Sequence, residues 1–172
     1  MINTRFRRDV ADYLLSSVTD GFGPAALRLY SPPVAESMTA VNDYLRRKSG
    51  LEPRLVELAI LVTAREMDAE YVWTSHEPAA RKFGLEQSII DTVKFRRDAS
   101  ALGEKERVIV ELGRGAIGKH KVDSETFARA VKLFGHQGVV NIASLIGDYA
   151  ATAILLNGAD QRVRDVSLLP VP

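Results

Sequence analysis

Apolar positions recur at close to a 3.6-residue period along most of this chain. In residues 5–18, Phe6, Val10, Tyr13, Leu14 and Val18 fall on one helical face, and Gly21, Gly23 and Pro24 break the pattern. Ser31-Pro32-Pro33 is a second stop. Pro33 suits the first turn of a helix running to about Lys48, and Gly50 stands where a glycine ends a helix. The next helix is predicted to start near Pro53. Its run LAILVTA, residues 58–64, is apolar on every side, as in a central, buried helix. Asp68 is the predicted N-cap of the following helix and Gly84 its stop. LEQSIIDTVKF reads as a short helix and GEKERVIVELGRGAIG as another, although RVIV alone also suits a strand. Asp123 is expected to cap residues 124–133, and Gly135 or Gly138 to precede the last long helix. No Asn-Gly or Asp-Gly hairpin signal occurs. The fold class is therefore all-α: one domain over residues 1–172, about seven to eight helices, and no linker long enough to divide it.

Composition narrows the chemistry more than the fold. A chain of 172 residues, 46% hydrophobic and 26% charged, has the make-up of a soluble globular domain with a sizeable core. A net charge of +1 lacks the basic excess of a nucleic-acid binder. The runs RFRRD and KFRRD are short, each ends in an acid, and both read as solvated helix ends. There is no cysteine, which removes disulfides, thiolate zinc sites, thiol peroxidase chemistry and cysteine nucleophiles, and fits a cytoplasmic location. The N-terminus carries charges where a signal peptide needs an apolar stretch. The longest apolar run, residues 139–157, is interrupted by Asn141 and Asp148, so a buried helix is expected and not a membrane span. The three histidines show neither H-x-x-x-H nor H-x-H spacing, so no metal site is expected and metal-dependent hydrolysis has no motif here.

Candidate chemistry centres on His76, in the stretch EYVWTSHEPAARKFG. On a helix, Ala69, Val72, His76, Ala79, Ala80 and Phe83 share one face, so His76 points with the apolar side and away from Glu77, Arg81 and Lys82. Pro78 removes a backbone donor one turn after Thr74, so a kink or local opening is expected near the imidazole unless the helix starts only there. A second polar intruder, Glu57, directly precedes the apolar run. A buried Glu57 needs a donor, and His76 is a candidate. Such a pair can pass protons near neutral pH. A satisfied core histidine and a glutamate complementing a helix dipole show the same pattern, and both readings stay open on spacing alone.

Residues 51–90 resemble the core of the carboxymuconolactone decarboxylase and alkylhydroperoxidase D family. The resembling features are Arg54 and Glu57 before the apolar run, Tyr71, Trp73 and His76 in a tyrosine-x-tryptophan-x-x-histidine stretch, and the Ala79 to Gly84 ending. Residues 133–157, with Gly147 and Tyr149, resemble the family's second signature. The resemblance covers residues 51–157 and is looser over the first fifty. It implies an all-α fold that associates with itself as a trimer or hexamer, and a site between the helices bearing Glu57 and His76. In the peroxidase branch a glutamate, two cysteines and a histidine form a proton-relay redox site. Here the glutamate and histidine match Glu57 and His76, while the cysteine positions fall on Ala69 and Val72.

The decarboxylase branch is similar in lacking the cysteine pair. The resemblance thus implies a cofactor-independent lyase that decarboxylates a small carboxylated lactone or a related aromatic-catabolism intermediate, with Glu57 and His76 catalytic. Arg54, Tyr71, Trp73, Arg81 and His136 are the candidates to bind the substrate. Arg54 and Arg81 would be carboxylate anchors, and His120, between two lysines, a loop residue. The partners implied are a small carboxylate or lactone and further copies of the chain, with no nucleic acid and no membrane. The alternative is a non-catalytic oligomeric binding or scaffold protein that keeps the fold.

Overall fold

A computed structural model describes residues 23–161. The helix expected over residues 5–18, and the RFRRD run within it, lie outside the described residues. The described part holds seven α-helices and two π-helical turns: α1 (Pro24–Arg28), α2 (Pro32–Asp43) running into a π turn (Tyr44–Lys48), α3 (Pro53–Glu66), α4 (Glu70–Lys82), α5 (Gln87–Lys94), α6 (Glu104–Gly113) running into a second π turn (Arg114–Gly118), and α7 (Ser124–Gly158). The RVIV segment is helical, and no strand forms among the described residues.

Helix starts follow the proline pattern: α1, α2 and α3 each carry proline in their first turn, where the missing N–H costs nothing. The central position of α3 follows from its all-round apolar sequence. Every residue from Leu55 to Arg65 is buried, and α3 packs against α4, α5, α6 and α7. Asp123 caps α7 as expected, its Oδ1 accepting from the Thr126 backbone N–H at 2.8 Å. The two helices expected at residues 124–133 and over the last long segment both form and meet within α7 at a kink at Gly135, φ 67° and ψ 172°. That backbone conformation is open to glycine at little cost, so the chain turns there before the following apolar helix. By composition this is the one described helix that could span a membrane, yet 56% of its apolar window is buried inside the protein.

Four local expectations are corrected. Asp68 does not cap α4; Ala69 occupies that position. The Asp68 carboxylate is instead held by Arg65 and by Arg96 at 3.4 Å, and its backbone takes a left-handed φ of 46°. The same contacts show that KFRRD is more than a solvated helix end: Arg96 donates to the Arg65 carbonyl at 2.9 Å, and Arg65 Nε donates to the Lys94 carbonyl at 2.8 Å. The run ties the end of α5 to the end of α3. Pro78, in turn, does not break α4, which stays helical from Glu70 to Lys82.

The fourth correction concerns the faces of α4. Glu77, expected with the solvent-facing charges, is 1% exposed, while Phe83, expected on the apolar face, is 46% exposed. The helix buries two sides. One carries Trp73, Glu77 and Ala80 into the core; the other carries Val72 and His76 to a cavity. Glu77 is tolerated inside because Trp73 Nε1 donates to its Oε2 at 2.6 Å, Arg81 pairs with its Oε1, and Lys94 Nζ lies 3.9 Å from Oε2.

Candidate functional site

A cavity of about 190 Å³ opens between α1, the end of α2 with its π turn, α4 and α7. The order of elements explains its contents. The glycine turn at residue 50 folds the π turn back along α3, which brings Arg46 to Glu57. α4 returns antiparallel in the chain and presents Tyr71, Ser75 and His76, and α7 closes the opposite wall with Tyr149 and Thr152.

Glu57 is the centre of the polar cluster. It is 1% exposed and surrounded by the apolar residues of α3. Its Oε2 lies 2.7 Å from His76 Nδ1, and its Oε1 accepts from Arg46 Nη2 at 3.2 Å. A carboxylate only accepts, so Nδ1 is assigned the hydrogen and Nε2 is left for the cavity. The imidazole is therefore fixed in tautomer and orientation by a buried acid, while 14% of its side chain stays accessible. Across from it, the Tyr149 ring meets the His76 ring edge to face, centroids 5.1 Å apart and planes at 89°. Burial pushes the Tyr149 hydroxyl up to about 12; the Arg46 charge and the Asn42 amide pull it down without offsetting that push.

The cavity is cationic. Arg46 spends one nitrogen on Glu57, and its buried Nε has no partner among the described residues. Arg28 donates to Thr152 Oγ1 at 2.5 Å and pairs with no carboxylate among the described residues. Thr152 Oγ1 in turn donates to the Asp148 carbonyl at 2.9 Å. Two guanidinium groups facing one small space, with a single acid already shared between Arg46 and His76, make a place for an anion. Among the described residues no group of three or more histidine, aspartate and glutamate side chains is placed to hold a metal ion.

The structure brings together Glu57, His76 and Tyr71, and not the other four candidates. Arg54 pairs with Glu106 and, at 3.2 Å, with Glu52, and does not line the cavity. Its place at the start of α3 beside α6, not its charge, decides this. Trp73 is a fully buried core residue whose indole N–H is used by Glu77. Arg81 is spent on the same Glu77, and His136 follows the Gly135 break, where it is exposed and does not line the cavity. His120 is a loop residue with φ 56°. The residues that sequence reading passed over are Arg28, Asn42, Arg46 and Thr152. Arg46 lies in the run Arg46-Arg47-Lys48, whose other two members both pair with Asp43, at 2.7 and 2.6 Å. Only the wider π turn decides which of the three cations points inward.

Residues 32–114, just under half of the chain, match the model of the Carboxymuconolactone decarboxylase family. The match starts earlier than the resemblance read from sequence, so it takes in α2 and the π turn that supply Asn42 and Arg46, and it stops before α7. No curated protein matches the chain. Among solved structures it is similar to a protein of unknown function from Agrobacterium tumefaciens for which an antioxidant-defence role of the AhpD kind has been suggested. The TM-score is 0.70 and the identity 20%, over 84% of this chain and 96% of the other. That likeness carries the fold.

Proposed function

We propose that the protein is a cofactor-independent lyase that decarboxylates a small carboxylated molecule, a lactone or a related aromatic-catabolism intermediate, in the cavity at His76. The observation that carries the reading is the union in one cavity of a Glu57-held imidazole with two arginines, Arg28 and Arg46. In the reaction, the bond between the substrate carbon and its carboxylate breaks. The electron pair moves into a conjugated carbonyl, carbon dioxide leaves, and His76 takes a solvent proton on Nε2 and passes it to the carbon. Arg28, in place of Arg54 and Arg81, is the carboxylate anchor. The anchored group is best a carboxylate that stays on the substrate, because an ion pair to the departing one would stabilise the ground state and slow the step. The missing cysteines leave this acid–base chemistry intact while removing the thiol route.

The test has two stages. Small dicarboxylates and carboxylated lactones are screened by thermal shift, where a ligand at about 100 times its dissociation constant adds about 2.7 kcal/mol to stability. The stabilising compounds are then assayed for carbon dioxide release. Release by metal-free protein, lost in Arg28→Gln, supports the lyase. Binding with no release from any stabilising compound favours the non-catalytic binding protein.

We also expect self-association, as a trimer or hexamer. α2 buries none of its residues and exposes Val34 and Val41, and α7 exposes Val140 and Ile154 at 62% and 63%. Such faces on a small helical protein are commonly covered by a second copy. Light scattering at micromolar concentration should give a multiple of 18.9 kDa. A single 18.9 kDa species would count against assembly.

A further inference from the structure

Asp148 interrupts the apolar stretch of α7 and is buried there. Among the described residues only Asn42 hydrogen-bonds its carboxylate, Nδ2 donating to Oδ2 at 2.7 Å, and Oδ1 is buried without a partner. A buried carboxylate held by one neutral donor is costly, and nothing in the core packing requires it. Next to it, Tyr149 is 5% exposed yet lines the cavity. Asn42 joins the two, for its amide also lies against the Tyr149 hydroxyl. An amide nitrogen carries two hydrogens, one for Asp148 and one for the phenol oxygen. A phenol oxygen that accepts from Asn42 keeps its own hydrogen to give, and Tyr149 lines the cavity into which that hydrogen can point.

We propose that Tyr149 is the cavity's oxyanion donor, directing its O–H at the substrate oxygen on which charge develops, and that Asn42 and Asp148 are positioning residues that hold it there. The proposal rests on the acid–base reading of the cavity given above. When the carbon–carbon bond breaks, the electron pair settles on the carbonyl oxygen. A neutral donor already in place on the cavity wall stabilises that charge without reorganising. The donor must keep its proton, and burial, opposed by Arg46 and Asn42, leaves the Tyr149 hydroxyl protonated up to about pH 12. The titratable and charged groups around it are His76, Arg46, Glu57 and Asp148. Three tasks are thus divided: Arg28 holds a carboxylate, His76 supplies the proton to carbon, and Tyr149 receives the charge on oxygen.

The test uses 4-hydroxy-3-nitrobenzoate, a carboxylate whose phenol colours on ionisation, so that bound oxyanion is read directly by absorbance. Bound to the wild-type protein, its phenol is expected to ionise about one pH unit below the free probe, a tenfold shift. Tyr149→Phe should return most of that shift while affinity for the un-ionised probe stays within roughly threefold. Asp148→Asn, which leaves the phenol in place, should return part of it. A Tyr149 that only fills space would lower the melting temperature of Tyr149→Phe without moving the probe's ionisation, and that result overturns the donor role alone. Failure of the probe to bind the wild-type protein overturns the donor role and the anion-binding reading together. Should Tyr149→Phe not fold, an unchanged shift in Asp148→Asn decides against the proposal, and a reduced shift supports it.

Discussion

Replacing Glu77 by alanine is expected to lower the free energy of unfolding by about 3–5 kcal/mol, the cost of breaking a buried ion pair by removing one partner. Against a total stability of order 5–15 kcal/mol, that is a large share. The size follows from what is left behind. The Trp73 indole N–H, in the fully buried core, loses its acceptor at 2.6 Å, and Lys94, with 20% of its side chain exposed, loses the acid 3.9 Å away. Arg81 is spared because more than half of its side chain is in solvent. Glu77→Gln keeps an oxygen for the indole and should cost about 1–2 kcal/mol, in the range of one weakened buried hydrogen bond. Urea unfolding at constant m-value measures both. A loss below 1 kcal/mol in Glu77→Ala would mean that the buried carboxylate is not what satisfies Trp73. Turnover per folded molecule should be unchanged, since Glu77 faces the core and not the cavity.

His76→Gln is expected to show the opposite division, with turnover down by on the order of 10²-fold or more and the fold and assembly kept. Glutamine fills similar space but offers no imidazole to exchange a proton with a carbon. Glu57 is not orphaned by the change, because Arg46 still donates to it at 3.2 Å. The stability loss should therefore stay near the low end of the about 1–3 kcal/mol that an unpaired buried partner costs. A histidine of purely structural importance gives the reverse outcome: stability falls and the turnover of the folded fraction is untouched. Steady-state rates of carbon dioxide release, set beside circular dichroism and thermal melts of the same preparations, separate the two.

How much of this was legible in the chain differs from residue to residue. Much of the helix order was, because several boundaries carry their own local chemistry: prolines at the starts of α2 and α3, glycines at 50 and 84, and Asp123 before α7. The buried course of α3 was also legible, since no side of LAILVTA is polar enough to face water. The contact of Glu57 with His76 was open to inference because a carboxylate on such a helix must find a donor. The rest depended on tertiary placement. A wheel drawn for one apolar face could not show that α4 buries two sides, so it put Glu77 in water and left Trp73 as a site candidate. Arg46 could not be told from Arg47 and Lys48 without the π turn that aims it. Arg54 and Arg28 have the same chemistry, and only their neighbours, Glu106 in one case and Thr152 in the other, decide which remains available to an anion. Asp148 did leave a signal, a charge inside the longest apolar run, and its meaning came from Asn42, more than a hundred positions away.

The central claim is that Glu57 and His76 act as one acid–base unit on a substrate held in the cavity. It is tested most directly by kcat for carbon dioxide release in the wild-type protein, in Glu57→Gln, in His76→Gln and in the double variant, on one compound taken from the stabilising carboxylates. In Glu57→Gln the amide offers one oxygen where the carboxylate served both Arg46 and His76, so the imidazole loses the acceptor that fixes it. Residues that work as a unit do not lose rate additively. Each single variant is predicted to fall by on the order of 10²-fold, and the double variant to lie within about threefold of the slower single. Losses that multiply, or a folded His76→Gln that releases carbon dioxide at the wild-type rate, would contradict the account.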